Sequence, residues 1–192
     1  MMESYLEILG TAVGIVYLWL EYRASAWLWA ASIAMPAIYL AVYYDAGLYA
    51  DFGISIYYIL ASLYGLACWL RGRGRSADGE STEELRITRT PRAVWVALLP
   101  VSATIFVAIG YILSRFTDST VPWADAFTTA LSIVAMWMLA RKYVEQWLVW
   151  IAADVACAVL YVYKDLWFTG GLYLIYAVVA VLGYRKWKRL MI

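Results

Sequence analysis

Seven stretches of this chain are almost free of charge and long enough, or nearly so, to cross a lipid bilayer. They cover roughly residues 8–20, 24–44, 52–70, 93–114, 126–140, 146–163 and 166–184. A helix needs about 20 apolar residues to span the hydrocarbon core. The first and fifth stretches fall short, and they span only if Glu7 and Asp125 stand at their mouths. The runs are continuously apolar and do not alternate, which excludes a transmembrane β-barrel. The chain is 65% hydrophobic and 15% charged, against about half and a quarter for a soluble domain. The expected fold is therefore an all-α membrane protein with seven transmembrane helices, and its first partner is the bilayer. The opening Met1-Met2-Glu3-Ser4 lacks a basic stretch, so the first apolar segment is expected to be retained rather than cleaved.

Basic residues orient the spans, because Lys and Arg accumulate in cytoplasmic loops. Thirteen of the 15 lie on one side, at Arg23, between Arg71 and Arg92, at Arg141-Lys142 and in the tail from Arg185 to Arg189. This places the N-terminus outside and the C-terminus in the cytoplasm, in a bacterial inner membrane. The outer side carries Arg115 and Lys164 against Glu3, Glu7, Asp45, Asp51, Asp118, Asp125 and Asp165. Such a face raises the local concentration of cations, although solvated loop charges would look the same. The run 71–84 is polar and Gly-rich and is expected to be a flexible cytoplasmic linker. Its arginines set topology, and a nucleic-acid partner is not expected.

The two ends of the chain resemble each other. An offset of 118 pairs Glu7 with Asp125, Trp19 with Trp137, Arg23 with Arg141, Gly53 with Gly171, Tyr58 with Tyr176, Gly65 with Gly183 and Trp69 with Trp187. In between, the offset drifts to 120, pairing Trp27 with Trp147 and Asp45 with Asp165. The organisation predicted is repeat 1 over 1–70, a linker over 71–92, a fourth helix over 93–121 and repeat 2 over 122–192. Three helices per repeat and one between them make the repeats parallel, a transporter architecture with cargo held near the midplane.

Few residues in the apolar segments carry chemistry. Cys68 and Cys157 read as small buried hydrophobes, and the chain has no His. Neither a metal nor a cofactor is expected. Asp154 lies midway along the sixth segment, where a carboxylate costs a few kcal/mol unless solvated or paired. It is either a polar contact in a cavity or a structural tie between helices. Trp147, Trp150 and Asp154 stand at i, i+3 and i+7, on one helical face. Two indoles and a carboxylate suit a flat cationic ligand, while Trp147 alone would also serve as an interface anchor. Pro36 interrupts the hydrogen bonding of the second helix near Met35 and Tyr39. A freed carbonyl there must face protein or a water-filled cavity.

The motifs Trp147-x-x-Trp150-x-x-x-Asp154 and Asp125-Ala-x-Thr-Thr-Ala-Leu-Ser132 carry a family resemblance. So do the run from Ala140 to Trp147, Leu160-Tyr-x-Tyr-Lys164 and Leu48-Tyr-Ala-Asp51. Taken in order, they make the chain similar to the PnuC vitamin transporters over nearly its whole length. The resemblance implies a 3+1+3 fold shaped like that of the SWEET sugar transporters. It also implies facilitated diffusion, trapping of the cargo by phosphorylation and a homotrimer. Cargo in the family includes nicotinamide riboside, thiamine, riboflavin and deoxynucleosides. Nicotinamide-riboside members carry amides near the places of Met35, Met136 and Ala140. Losing those donors and acceptors disfavours that cargo, and the pattern looks more like the thiamine-transporting PnuT branch. The expected site is an outer mouth at Glu7 and Asp125, stacking on Trp150 and Trp137, and polar contacts from Asp154 and Tyr39, with Trp147, Ser132, Met136 and Met35 around it. A membrane enzyme would need a nucleophile–base pair or a metal cluster, and no paired carboxylates occur within one segment. A receptor would bind without flux.

Overall fold

The computed structural model describes residues 13–45, 49–71, 85–165 and 167–191, and the chain divides into two compact units, Met1–Arg86 and Ile87–Ile192. Seven helices lie among the described residues. They are α1 (Val13–Tyr22), α2 (Leu28–Asp45), α3 (Tyr49–Arg71), α4 (Arg92–Phe116), α5 (Pro122–Ala140), α6 (Gln146–Tyr163) and α7 (Trp167–Leu190). Four stretches are long and apolar enough to cross a membrane: Phe52–Arg71 within α3, and the whole of α4, α5 and α6. α7 continues past the expected end at Tyr184 to Leu190, because Lys and Arg favour helix and suit its C-terminal end. Residues 72–84 of the expected linker lie outside the described residues.

In the first unit α2 packs on α3. Ser32 donates to Ser62 across that contact at 2.9 Å, and Ser62 donates to the Tyr58 carbonyl at 2.6 Å. The helix runs through Pro36 without interruption. Proline offers no N–H, so the Ser32 carbonyl one turn earlier has no helical donor. The Trp29 indole is fully buried, lies on the Gly65 position and meets Trp69 edge-on at 5.7 Å and 89°.

In the second unit α5 packs between α4 and α6, and α6 packs on α7. Val134, Ala135, Met138 and Val149 form a buried cluster, flanked by Trp95 and Leu98 from α4. Most of α4 is otherwise uncovered, with Val96, Leu99, Val107 and Phe116 exposed. So extensive an apolar surface is what lipid solvates and water does not. Just before α4 the chain is anchored to the α5–α6 turn. Thr88 donates its N–H to the Lys142 carbonyl at 3.1 Å and accepts from the Val144 N–H at 2.9 Å. Both the N–H and the hydroxyl of Thr90 donate to Glu145 Oε2 at 2.8 Å.

Local geometry recurs between the units at a spacing of 118 residues. Ala24 and Lys142 both adopt left-handed backbone, with φ of 54° and 53°. The amides that follow close matching turns, Ser25 to Leu20 at 2.9 Å and Tyr143 to Met138 at 3.1 Å. Trp147 meets Trp187 edge-on at 5.7 Å and 88° over Gly183, as Trp29 meets Trp69 over Gly65. This corrects the expected pairing of Trp27 with Trp147. The counterpart of Trp147 is Trp29, and Trp27 is 74% exposed. Matching turns of equal length and a glycine notch for each indole keep one register.

A methyl group at Gly183 would stand 2.7 Å from the Trp147 ring, and one at Gly65 would run into the Trp29 ring. Alanine at either position therefore overpacks a rigid indole, at a cost of ~1–3 kcal/mol. Both variants should melt below wild type in detergent. Gly53→Ala and Gly171→Ala, where nothing lies within 4 Å, should melt at or above it. Equal melting of all four variants would show that the notches do not hold the indoles.

Candidate functional site

α6 touches both α5 and α7, while α5 and α7 make no contact with each other among the described residues. The central stripe of α6 is therefore the inner surface of the second unit. Residues spaced by four lie along one helical face, and here that stripe runs Gln146, Trp150, Asp154. It is apolar in its surroundings and polar at these three places.

Asp154 is 8% exposed, and among the described residues it makes no hydrogen bond or ion pair. The expectation of a structural tie between helices thus finds no partner group. An uncompensated buried carboxylate costs several kcal/mol, which a fold tolerates at a place where something else supplies the partner. Its surroundings are aromatic. Tyr173 and Tyr176 on α7 and Cys157 one turn along α6 are near enough to feel its charge. Tyr161 lies nearly parallel to Tyr173, with ring centroids 5.2 Å apart at 17°, and Tyr173 meets Tyr176 at 5.7 Å. Tyrosine faces attract cations, so carboxylate and rings favour the same kind of ligand.

The tryptophans divide. Trp150 is half-buried against the Val134–Val149 cluster, and its indole N–H is buried with no acceptor among the described residues. Trp147 is 1% exposed, and its ring is taken up by Trp187 and the Gly183 notch. The structure places it in the α6–α7 packing, neither as an interface anchor nor as an open stacking face. Trp137 packs on the same cluster as Trp150, but its ring is met by Tyr143 at 6.1 Å and by the Arg141 guanidinium at 5.7 Å. That set belongs to the α5–α6 turn.

At the opposite end of α5, Asp125 is not a free charge. Lys164 reaches it at 3.1 Å and Ser119 donates to it at 2.6 Å. Its ability to draw in a cation is correspondingly reduced, a correction to the expected acidic mouth. Ser132 donates to the Thr128 carbonyl at 2.9 Å, and Met136 is buried. Glu7 lies outside the described residues. Met35 and Tyr39 stand on α2 on either side of Pro36, and their side chains are likewise outside the described set.

Sequence reasoning missed Tyr173, Tyr176 and Gln146. The tyrosines carry a weak signal, their i, i+3 spacing on an apolar helix. Gln146 carries another, an uncharged amide opening an 18-residue helix that is otherwise apolar except for Asp154.

Several helices long and apolar enough to cross a bilayer define a multi-spanning membrane protein, and a nearly buried carboxylate without a partner among the described residues lies on one of them. Comparison with known proteins makes the class specific. The family model described as "Nicotinamide mononucleotide transporter" matches residues 4–189, and the chain belongs to that family of membrane transporters. It is 28% identical to the riboflavin/roseoflavin transporter RibM of Streptomyces davaonensis, over 94% of this chain and 83% of that one. It is 24% identical to the nicotinamide riboside transporter PnuC of Escherichia coli, over 96% and 85%. The fold is similar to the crystal structure of the vitamin B3 transporter PnuC, with a TM-score of 0.72, 22% identity, and coverage of 98% of this chain and 82% of that one.

The two motif tryptophans should separate in experiment. Trp147→Phe should lower stability by ~1–3 kcal/mol through lost packing. Trp150→Phe removes an N–H without a partner, so it should change stability by less than ~0.5 kcal/mol and weaken cargo binding about three- to ten-fold. Thermal melting and titration calorimetry on each variant check this, and the reverse pattern would exchange their roles.

Proposed function

We propose that this protein takes up a B vitamin whose flat ring carries a fixed positive charge, with thiamine first and nicotinamide riboside second. The observation that carries the reading is Asp154, a buried carboxylate with no ion pair or hydrogen bond among the described residues. A permanent heteroaromatic cation supplies the missing charge, and the rings of Tyr173 and Tyr176 suit its faces. The loss of amides at the places of Met35, Met136 and Ala140 favours thiamine and the PnuT branch. The relatives named for nicotinamide riboside favour the second cargo. Riboflavin, named for another relative, is neutral and offers Asp154 no counter-charge.

The mode of action in this reading is facilitated diffusion, without catalysis, with phosphorylation inside the cell trapping the cargo. The recurrence at 118 residues supports a parallel 3+1+3 repeat of the SWEET type, and the distribution of Lys and Arg supports an external N-terminus. A homotrimer is part of the same reading. Trp150 and Asp154 contact the cargo near the midplane. Trp137, Ser132 and Met136 flank it, and Asp125 stands toward the outer mouth.

Calorimetric titration of the purified protein with thiamine, nicotinamide riboside and riboflavin tests the cargo, and liposome counterflow tests for flux. Asp154→Asn should bind the cationic vitamin about ten-fold more weakly, the equivalent of ~1.4 kcal/mol. Tight riboflavin binding that is indifferent to Asp154→Asn would sink the charge-pairing reading.

A further inference from the structure

Gln146 opens α6 and is completely buried, yet among the described residues neither its amide nitrogen nor its amide oxygen has a hydrogen-bond partner. A buried amide left unpaired costs free energy that an apolar side chain of similar size does not. The fold does not need an amide here. At the matching place of the first unit, 118 residues earlier, stands Leu28, equally buried at the start of α2. The next two members of the α6 stripe have the same property. The Trp150 N–H is buried without an acceptor, and the Asp154 carboxylate is buried without a partner among the described residues. Their counterparts are Ser32 and Pro36. Ser32 is already hydrogen-bonded to Ser62, and Pro36 has no polar side chain. Two buried groups without a partner, the Gln146 amide and the Trp150 N–H, and the nearly buried Asp154 carboxylate therefore follow one another at single-turn intervals on one face of one helix, while the Trp147 N–H beside Gln146 is likewise buried without an acceptor among the described residues. From Gln146 to Asp154 the helix rises about 12 Å, close to the length of a two-ring vitamin.

We propose that Gln146 is a specificity-determining residue, whose amide reads a donor–acceptor edge of the cargo while Asp154 holds its cationic ring. A primary amide offers a donor and an acceptor side by side. It matches groups that do the same, such as an aminopyrimidine edge or a carboxamide. The ligand class is a heteroaromatic cation bearing such an edge, and this deepens the cargo reading above and rests on it. A site built around a hydrogen-bonding edge discriminates strongly when that edge is altered, because its own buried group is then left unpaired.

The test uses full-length protein in detergent, with thiamine and oxythiamine as paired probes. Oxythiamine carries oxygen in place of the 4-amino group and so changes the edge while keeping the cation. Wild type should prefer thiamine. Gln146→Leu, which installs the residue found at the matching place, should melt at or above wild type. It should bind thiamine about ten-fold more weakly and lose the preference over oxythiamine. Gln146→Met provides a second, unbranched apolar variant with the same expected outcome. Wild-type affinity and an unchanged preference in either folded variant would overturn the proposal. So would loss of folded protein in both, since the amide would then serve the fold through a buried water. If wild type binds nicotinamide riboside instead, nicotinic acid riboside replaces oxythiamine as the altered-edge probe. Failure of wild type to bind any of these vitamins would instead refute the cargo reading, a result separate from either arm.

Discussion

Each half of this protein depends on an indole held against a glycine. Trp29 lies on Gly65 and meets Trp69, and Trp147 lies on Gly183 and meets Trp187, with the same separation and nearly the same angle. Between helices in a membrane there is little hydrophobic driving force, because lipid is as apolar as the side chains. Close packing at small residues takes its place. A glycine lets the neighbouring helix approach, and a large flat side chain fills the notch. That contact sets the rotation of α2 and α6, and hence which of their residues point inward.

The same rotation applied to two different sequences gives the halves different chemistry. In the first unit the inward places are held by Leu28, Ser32 and Pro36, with Ser32 bonded to Ser62. In the second unit they are held by Gln146, Trp150 and Asp154, none of which has a partner among the described residues. The first unit leaves the Trp29 N–H buried without an acceptor among the described residues, and the second leaves the Gln146 amide, the Trp147 and Trp150 N–H groups and the Asp154 carboxylate without partners there. The Asp125–Lys164 pair is a contrast within the second unit, a carboxylate with its counter-charge already in place.

Much of the fold was legible from residue order. Bilayer-length apolar runs are long-range signals that survive local detail, and the boundaries of α6 were read correctly for that reason. The end of α7 was not, because the helix continues through a charged tail that marks the end of the apolar run and not the end of the helix. The register of the repeat was misjudged around Trp27, where two tryptophans two positions apart offer equal matches to Trp147. Only burial distinguishes them. Asp154 and Trp150 were legible because a charge, or a regular spacing of rings, stands out in apolar sequence. Gln146 did not stand out, since an uncharged amide beside a helix start reads equally well as a solvated end residue. Tyr173 and Tyr176 were hidden among 17 tyrosines.

The sequence by itself determined that this chain lives in a membrane, which family it resembles, and that a carboxylate is held deep in its sixth helix. These follow from composition, period and order, which are properties of a line of residues. Only the tertiary structure decided which polar groups have partners. Asp125 and Asp154 are the same side chain, but Asp125 is met by Ser119 and by Lys164, 39 positions away, while Asp154 has no partner among the described residues. Hydrogen bonds and ion pairs join atoms that are close in space. Which buried groups are left wanting, and so available to a ligand, is settled when the helices pack.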